Sequence, residues 1–240
     1  MKVAAEAAVY AFSIVDPLIQ PGITTLELDQ IIHKAILDYG CKPAFLNYKN
    51  FPNVACISVN EGVVHCIPSE RKLNDGDIVT LDLGAIYNGF CSDTAKTYLV
   101  GNVNPVIKHF VQTGYESLVA GIKQAKPGNH INDISTAVND YIHKRGFSIV
   151  KKFVGHGIGR VVHEEPQVPN FKMEKKGPEL IPGMVICIEP ILAMGTEHVF
   201  QEGPWNIVTV DGKWACHFEH TIWITENDPV VLTKRPEETF

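Results

Sequence analysis

The stretch from Gly76 to Val100, GDIVTLDLGAIYNGFCSDTAKTYLV, constrains the fold of this chain more than any other part of its sequence. Two runs of β-prone residues stand on either side of Asn88 and Gly89. An Asn-Gly pair in this setting favours a type I′ turn, which requires positive φ angles at both of its central residues. The stretch therefore predicts a β-hairpin whose two-residue turn sets the register of the two strands.

The predicted register brings two aspartates to one face of the hairpin. Asp93 lies opposite Gly84, so Asp82 is its diagonal neighbour, with Cβ atoms roughly 7–8 Å apart or somewhat less. Lys96, the only cation within the hairpin, points to the other face by strand alternation. Two carboxylates on a mostly apolar hairpin repel each other unless a positive charge, such as a metal ion, lies between them. The alternative is that both aspartates are solvent-exposed positions on a half-hydrated sheet.

The composition is that of an ordinary globular chain of 240 residues, 45% of them hydrophobic and 20% charged. A formal net charge of −6 argues against a general nucleic-acid-binding protein, and no apolar run reaches the roughly 18 residues of a membrane span. The six cysteines form no CxxC pair, so neither a zinc knuckle nor a disulfide framework is predicted. We expect reduced, mostly buried thiols, a cytoplasmic location and no membrane association.

Helices and further strands are indicated on both sides of the hairpin. Apolar residues with helical spacing cover residues 3–15, and a capping-box pattern at Thr24 and Glu27 begins a second helix. Strands are predicted near Phe147–Val154 and Val161–Val162.

Two spacings recur in the second half of the chain. Pro-Gly pairs precede helical segments that end at glycine, and a glycine precedes an acidic residue in an apolar strand, first at Gly76 and Asp82 and then at Gly183 and Glu189. The recurrence predicts a duplicated α/β unit, and the alternative is a chance resemblance between amphipathic helices. The predicted organisation is a single domain, 1–240, with pseudo-repeat halves of approximately 1–103 and 104–240.

The second half also contains two acidic residues in β-rich surroundings. Glu189 lies within the apolar run GMVICIEPILA, and Glu219 lies in HFEH, which leads into TIWIT. Charged residues in such strands are rarely buried without a partner. If the halves pack with approximate twofold symmetry, this acidic pair faces the first one. Four carboxylates in one core would require about two divalent cations.

A histidine flanked by glycines is a further candidate ligand. His156 lies in the segment VGHGIGR, and a neutral imidazole beside carboxylates suits manganese, iron, cobalt or zinc. One alternative is a phosphate-binding loop, although the GxGxxG and P-loop spacings are absent. The other is an ordinary loop histidine. His163 and His65 are candidates for polarising a substrate.

Together these motifs resemble the type I methionine aminopeptidases over essentially the whole chain. The metal-binding motifs of that family match LDLG, CSDT, GHGIG, CIEP and FEHT, in that order. The resemblance implies the pita-bread fold, an α/β (α+β) architecture in which two pseudo-symmetric halves share a central, antiparallel-rich sheet with helices outside. The implied metal ligands are Asp82, Asp93, His156, Glu189 and Glu219.

The resemblance also implies a division of labour around two divalent ions, which could be cobalt, manganese, iron or zinc. Asp82 would chelate one ion, His156 and Glu189 would hold the other, and Asp93 and Glu219 would bridge them. A metal-bridged hydroxide would attack the peptide, with Glu189 as its general base.

The resemblance assigns the two remaining histidines and a pocket to the substrate. His163 would stabilise the developing oxyanion, and His65 would contact the scissile amide. The implied methionine pocket is formed by Tyr48, Phe51, Trp205 and His65, with Phe45 and Val162 nearby. Many relatives have cysteine where Phe45 stands and glycine where Cys66 stands. Phe45 is therefore expected to narrow the pocket, and Cys66 to make the enzyme sensitive to thiol reagents.

The implied function is removal of the initiator methionine from nascent polypeptides, preferentially when the next residue is small. The expected enzyme is a monomer, for which the ribosome is a candidate place of action. One alternative is a proline-specific aminopeptidase or dipeptidase of the same fold, which usually carries a substantial N-terminal domain. The other is a non-catalytic interaction protein on this fold, and such proteins typically lose ligands.

Overall fold

The computed structural model describes residues 1–240. Its α-helices are α1 (Lys2–Val15), α2 (Thr25–Asp38), α3 (Pro105–Ile122) and α4 (Ile131–His143). Short 3₁₀ helices cover Asp16–Leu18 and Tyr48–Asn50. The strands are β1 (Lys42–Pro43), β2 (Ala55–Val59), β3 (Gly62–Val64), β4 (Ile78–Tyr87), β5 (Phe90–Leu99), β6 (Ser148–Ile149), β7 (Gly155–Gly157), β8 (Glu164–Val168), β9 (Val185–Ile188), β10 (Ile191–Ala193), β11 (Val199–Glu202), β12 (Asn206–Thr209), β13 (Ala215–His217), β14 (Glu219–Trp223) and β15 (Val230–Val231).

Most of the strands form one nine-stranded antiparallel sheet. Its order is β1-β4-β5-β14-β9-β7-β8, with β2 beside β4 and β15 beside β14. Two three-stranded sheets, β13-β10-β6 and β11-β12-β3, complete the β-structure. The predicted α/β (α+β) class with an antiparallel-rich central sheet is confirmed. None of the helices combines the length and the apolar character that crossing a membrane requires.

The hairpin at the centre of the sheet has the predicted register. β4 and β5 pair without interruption, with Tyr87 opposite Phe90 and Gly84 opposite Asp93. Asn88 and Gly89 have φ angles of 49° and 76°, as a two-residue turn of this hand requires. The local turn chemistry therefore decides the relative positions of the two aspartates.

The capping box predicted at the start of α2 is also present. The Thr24 hydroxyl oxygen accepts a hydrogen bond from the Glu27 amide at 3.1 Å, and the Thr24 amide donates to the Glu27 carboxylate at 2.8 Å. Two backbone donors that the helix itself cannot satisfy thereby find acceptors. The helix begins at residue 25 for that reason.

Two hydrophobic cores of equal size lie on the helical side of the sheet. Helices α1 and α2 pack with β4 in one cluster of 21 buried residues, and α3 and α4 pack with β9 in another cluster of 21. The pairing of β5 with β14 joins the two halves within the central sheet. The fold therefore has two pseudo-symmetric halves, while the boundary between residues 103 and 104 stays a prediction.

The strands expected near Phe147–Val154 and Val161–Val162 are the main local differences. In the first stretch only Ser148–Ile149 is a strand, because its partner β10 is just three residues long. Val161–Val162 is not a strand, since the Glu164 carboxylate accepts hydrogen bonds from the amides of residues 160 and 161 at 2.7 and 2.9 Å. The backbone amides of this loop are thus bonded to a side chain and not to a neighbouring strand.

Candidate active site

Three of the predicted metal-binding carboxylates lie in one row across the central sheet. Asp82 of β4 is opposite Ala95 of β5, and Ala95 is opposite Glu219 of β14. Glu189 immediately follows β9 and stands opposite Glu219, because the residue pairs on either side of them share one register. Adjacent strands are about 4.8 Å apart, so this row brings carboxylates from both halves together.

A second row, offset by two residues, contributes Asp93 and His156. The Asp93 amide donates to the Thr221 hydroxyl at 3.0 Å, and that hydroxyl donates to the Asp93 carbonyl at 2.7 Å. Thr221 is opposite Cys187, which is in turn opposite His156 of β7. An offset of two residues keeps side chains on the same face of a sheet. All five predicted ligands therefore lie on one face.

The carboxylates of this face are almost free of solvent and lack counter-charges. Asp82, Asp93 and Glu219 are 8%, 3% and 2% exposed, and one oxygen of each has no hydrogen-bond partner. Burial raises the pKa of Asp82 to about 7 and that of Glu219 to about 8. Burial, followed by the charge of Glu219, raises the pKa of Asp93 and Glu189 well above the ordinary range. Such a cluster needs cations to stay ionised at neutral pH.

The donor set fits divalent metal ions. The ligand atoms of Asp82, Asp93 and Glu219 lie within 4.8 Å of one another, and so do those of His156, Cys187 and Glu219. Glu219 belongs to both groups, which is the position expected of a bridging carboxylate. Burial raises the pKa of the Cys187 thiol well above its usual range, so it is a poor ligand beside the carboxylates.

The orientation of His156 supports the same interpretation. Its Nδ1 lies 2.9 Å from the Gly157 carbonyl, which can only accept, so Nδ1 carries the proton. Nε2 then presents its lone pair to Glu219 and Asp93, at 3.6 and 3.9 Å from their carboxylate oxygens. A Cβ atom at Gly155 or Gly157 would collide with the carbonyl of Cys187 or Glu165. The flanking glycines therefore serve close strand approach.

These residues lie at the bottom of a cavity of about 340 Å³. Besides Asp82, its wall includes ten other residues predicted for the site: Phe45, Tyr48, Phe51, His65, Asp93, His156, His163, Glu189, Trp205 and Glu219. Val162 does not reach the cavity and is 2% exposed in the cluster behind it. Cys66 does not line it either, because its thiol lies against the carbonyls of Val64 and Ile207 at 3.7 and 3.8 Å.

The two histidines outside the ligand set flank the cavity. His163 Nδ1 is 3.0 Å from the Tyr48 hydroxyl, and its ring centroid is 4.3 Å from that of His156. His65 packs edge-on against Phe153, with ring centroids 5.3 Å apart. Burial, and then nearby positive charge, lowers the pKa of His65 to about 4 and also lowers the pKa of His163. Both rings are neutral at pH 7 and can donate one hydrogen bond each.

Aromatic rings form the apolar part of the cavity. Phe51 and Trp205 meet in a T-shaped arrangement with ring centroids 5.3 Å apart. Phe45 packs over Gly84, where an added Cβ would lie 3.2 Å from the Phe45 ring and 2.5 Å from the Ser92 carbonyl oxygen. The glycine of β4 thus leaves room for the phenyl ring on the ligand-bearing face. The result is a slot suited to an unbranched apolar side chain.

Several residues of this region were not predicted from the sequence, and two of them lie directly beside the carboxylates. Cys56 lines the cavity, and its register position opposite Asp82 could have been found by pairing β2 with β4. His217 is fully buried, with Nε2 at 3.9 Å from Glu189 and 4.0 Å from Asp82, and neither ring nitrogen has a hydrogen-bond partner. Its position two residues before Glu219 was the available signal.

A buried ionic group supports the opposite face of the same strands. Arg235 donates to the Thr94 hydroxyl at 2.9 Å, to the Ala95 carbonyl at 3.1 Å and to Glu238 at 2.9 Å. Glu238 also lies 3.2 Å from His220. Because residues 94 and 220 alternate with Asp93 and Glu219, this cluster fastens the ligand-bearing strands from behind.

Comparison with known proteins places the chain in a family. The model of metallopeptidase family M24 matches residues 1–226. Methionine aminopeptidase 1 of Bacillus subtilis (strain 168) is 46% identical over 217 residues, which cover 90% of this chain and 88% of that protein. The crystal structure of methionine aminopeptidase from Thermotoga maritima superimposes with a TM-score of 0.95 at 40% identity, covering 98% of this chain and 95% of that one.

The chain also shares its fold with part of some larger, less similar proteins. A prolidase from Pyrococcus furiosus has a TM-score of 0.80 at 25% identity and covers 98% of this chain, but the match spans only 63% of the prolidase. The pita-bread fold implied by the motifs is thereby confirmed, and the closer agreement is with the methionine enzymes. The chain belongs to metallopeptidase family M24 and, within it, to the methionine aminopeptidases.

Proposed function

We propose that this protein removes the initiator methionine from nascent polypeptides at the site formed by the two rows of the central sheet, preferentially when the next residue is small. The observation that carries the proposal is the convergence of ligands from both halves on one face, beside an aromatic slot. Asp82, Asp93, His156, Glu189 and Glu219 would hold the metal. Two divalent ions suit this set, because four carboxylates need about four positive charges. When bound, they would supply Lewis acidity and lower the pKa of the attacking water.

Glu189 is the general base of this proposal. It immediately follows β9 on the cavity wall, and burial raises the pKa of its carboxyl group well above the ordinary range when no cation is near. A carboxylate in such a position can accept the proton of the attacking water and return it to the leaving amine. The same side chain is proposed both to hold metal and to move the proton.

His163 and His65 act on the peptide group. His163 is held through Nδ1 by the Tyr48 hydroxyl, so its other ring nitrogen is free to meet the carbonyl oxygen as that oxygen gains negative charge. His65 stands across the cavity against Phe153, where it can contact the scissile amide. Both roles use neutral imidazoles, in agreement with their lowered pKa values.

The aromatic slot selects the first residue. Phe45, Tyr48, Phe51 and Trp205 would contact the methionine side chain, and sulfur–aromatic contacts contribute roughly 0.3–1.5 kcal/mol each. Val162 would act only from behind, by supporting these rings. Competing side chains that differ by one methylene should be rejected about 10–200-fold in kcat/KM.

The test is hydrolysis of a Met-Ala-Ser peptide by chelator-stripped protein, with and without Mn²⁺ or Co²⁺. We expect release of methionine only with added metal. Asp93→Ala should abolish it, whereas Asp140→Ala, at an exposed position of α4, serves as a control for a lost aspartate. Metal titration by calorimetry would give the number of ions, which we propose to be two.

The contradicting result is folded protein that releases no methionine with Mn²⁺, Co²⁺, Fe²⁺ or Zn²⁺. Xaa-Pro peptides would then test the proline-specific alternative, which the structural similarity to a prolidase supports. Metal content of the purified protein tests the non-catalytic alternative, since an interaction protein has no need of a loaded site.

We further propose a cytoplasmic monomer that can act at the ribosome. All six cysteines are free and buried, as is typical of proteins in a reducing compartment. Sedimentation of the protein alone tests the oligomeric state. Co-sedimentation with ribosomes that carry nascent chains tests the place of action.

A further inference from the structure

Two lysines at the cavity wall have no role in the mechanism above. Lys49 and Lys152 line the cavity together with the ligands and the aromatic rings, and both are exposed. Neither forms an ion pair with a carboxylate of the protein. The adjacent Lys151, in contrast, lies 2.8 Å from Glu197. Two exposed ammonium groups without an ion-pair partner therefore lie on the wall of the cavity.

The two lysines stand in matching relations to the two substrate histidines. Lys49 Nζ is 5.3 Å from the centroid of the Tyr48 ring, whose hydroxyl contacts His163. Lys152 Nζ is 5.8 Å from the centroid of the Phe153 ring, which packs against His65. Each histidine thus contacts an aromatic ring, and a lysine ammonium group lies near that same ring. A peptide bound with its scissile bond between the histidines would extend toward these ammonium groups.

The charge balance of the cavity makes these lysines its main source of uncompensated positive charge. The four carboxylates at its bottom would be neutralised by about two divalent ions. The charge of Lys49 already contributes to lowering the pKa of both histidines, so its field reaches into the cavity. On a chain with a formal net charge of −6, this entrance is a local positive region.

We propose that Lys49 and Lys152 form a carboxylate-binding entrance that favours polypeptides with Asp or Glu at the third and fourth positions, after the methionine and the small residue. An extended peptide advances about 3.3 Å per residue, so the side chains of those positions pass the two aromatic rings and come within reach of the ammonium groups. The inference rests on the proposed function and specifies its substrates.

The experiment compares amidated peptides, so that no terminal carboxylate competes for the lysines. Met-Ala-Glu-Glu-Ser-amide, Met-Ala-Gln-Gln-Ser-amide and Met-Ala-Lys-Lys-Ser-amide are hydrolysed by metal-loaded enzyme at low salt. We expect kcat/KM to rise by about two- to fivefold for each lysine engaged, from the Gln to the Glu peptide. The advantage should shrink as ionic strength approaches 1 M, where the screening length is about 3 Å.

Charge reversal separates recognition from a structural effect. The double variant Lys49→Glu, Lys152→Glu should reverse the order of the Glu and Lys peptides. If the double variant does not fold, either single variant should lose most of the preference for the Glu peptide. Lys151→Glu is the matched control: it changes the same charge one residue away and should keep the wild-type order.

Three outcomes overturn the inference: equal kcat/KM for the Glu and Gln peptides in the wild type, no change of the ratio on reversal, or an equal change in the Lys151 variant. Release of methionine from the Gln peptide reports separately on the proposed function. If that release occurs while the ratio stays at one, only the carboxylate-binding entrance is wrong.

Discussion

The two hairpins that carry the acidic residues are built differently. β4 and β5 pair without a break, which places Asp82 and Asp93 diagonally on one face. In the second half, Glu189 and Pro190 separate β9 from β10, and Phe218 separates β13 from β14. The register continues across this gap, so Glu189 and Glu219 stand directly opposite each other. Proline has no N–H to donate, so the ladder cannot pass through it.

The difference shows two ways of positioning a carboxylate. In the first hairpin a local turn, Asn88-Gly89, determines the register and hence both aspartates. In the second, the strands on either side of the gap join different sheets, and Glu219 takes its place from its pairing with β5 and from the Arg235 cluster behind it. The first half should therefore tolerate distant changes that disturb the second.

Equivalent acidic positions in the two halves should respond differently to neutralisation. Glu189→Gln removes the proposed base, and we expect kcat to fall by about 10²–10⁴-fold at every metal concentration. Asp82→Asn removes only a ligand, so excess Mn²⁺ should restore part of its activity. Steady-state kinetics across a metal titration make the comparison. Equal rescue of both variants would contradict the role of Glu189.

Removing the buried arginine should damage the junction of the halves. Arg235→Ala leaves buried Glu238 with His220 as its remaining partner, and breaking a buried ion pair costs about 3–5 kcal/mol of unfolding free energy. Urea denaturation measures the loss. Arg71→Ala, whose side chain is 43% exposed and lies 3.0 Å from Glu61, is the matched control and should lose at most about 1 kcal/mol. Similar losses in both variants would argue against the special importance of the buried cluster.

The same cluster predicts an acid-sensitive part of the stability. Burial alone would raise the pKa of Glu238, but the hydrogen bond with His220 and the charge of Arg235 lower it to about 2, from an ordinary 4.5. The ionised form is thus favoured in the folded protein. Its contribution, at most about 3 kcal/mol, is complete above about pH 4.5 and is lost as the pH falls through 2.

Unfolding free energies of the wild type and Glu238→Gln, measured from pH 6 downwards, check this prediction. The difference between the two proteins should shrink over that interval. A difference that stays constant with pH would mean that the glutamate contributes through packing alone.

His217 should tune metal binding from its position between the halves. Glutamine keeps a hydrogen-bond donor near Glu189 and Asp82, whereas alanine removes it. We expect His217→Ala to weaken metal affinity by about 10–100-fold and His217→Gln to retain most of it. Calorimetric titration of stripped protein gives both values. Equal affinities for the alanine variant and the wild type would assign His217 to packing.

The smallest expected effect is on the local turn of the first hairpin. Gly89 has φ of 76°, and an alanine there costs about 1–2 kcal/mol. Asn88→Gly should be tolerated, since glycine also adopts positive φ. Thermal unfolding of both variants, with and without metal, tests whether the turn alone holds Asp82 and Asp93 in place. A Gly89→Ala variant as stable as the wild type would contradict this prediction.

Much of the fold could be predicted because it depends on short-range chemistry. The capping box at Thr24, the Asn88-Gly89 turn and the alternation along β4 and β5 are all local. The strand predicted near Phe147–Val154 is present only at Ser148–Ile149, and the one at Val161–Val162 was wrong, because these outcomes depend on the short partner β10 and on the side chain of Glu164. A propensity pattern carries no information about either contact.

For the site, sequence alone determined which residues could act: the acidic pair of the hairpin, its counterparts in the second half and the glycine-flanked histidine. Only the tertiary structure decided their common face, because the cross-strand rows arise from the pairing of β5 with β14 and of β9 with β7. It also moved Val162 and Cys66 behind the cavity wall and brought Cys56, Lys49 and Lys152 onto it. The physical reason is that a side chain's direction follows from strand alternation, but its neighbours follow from which distant strands pair.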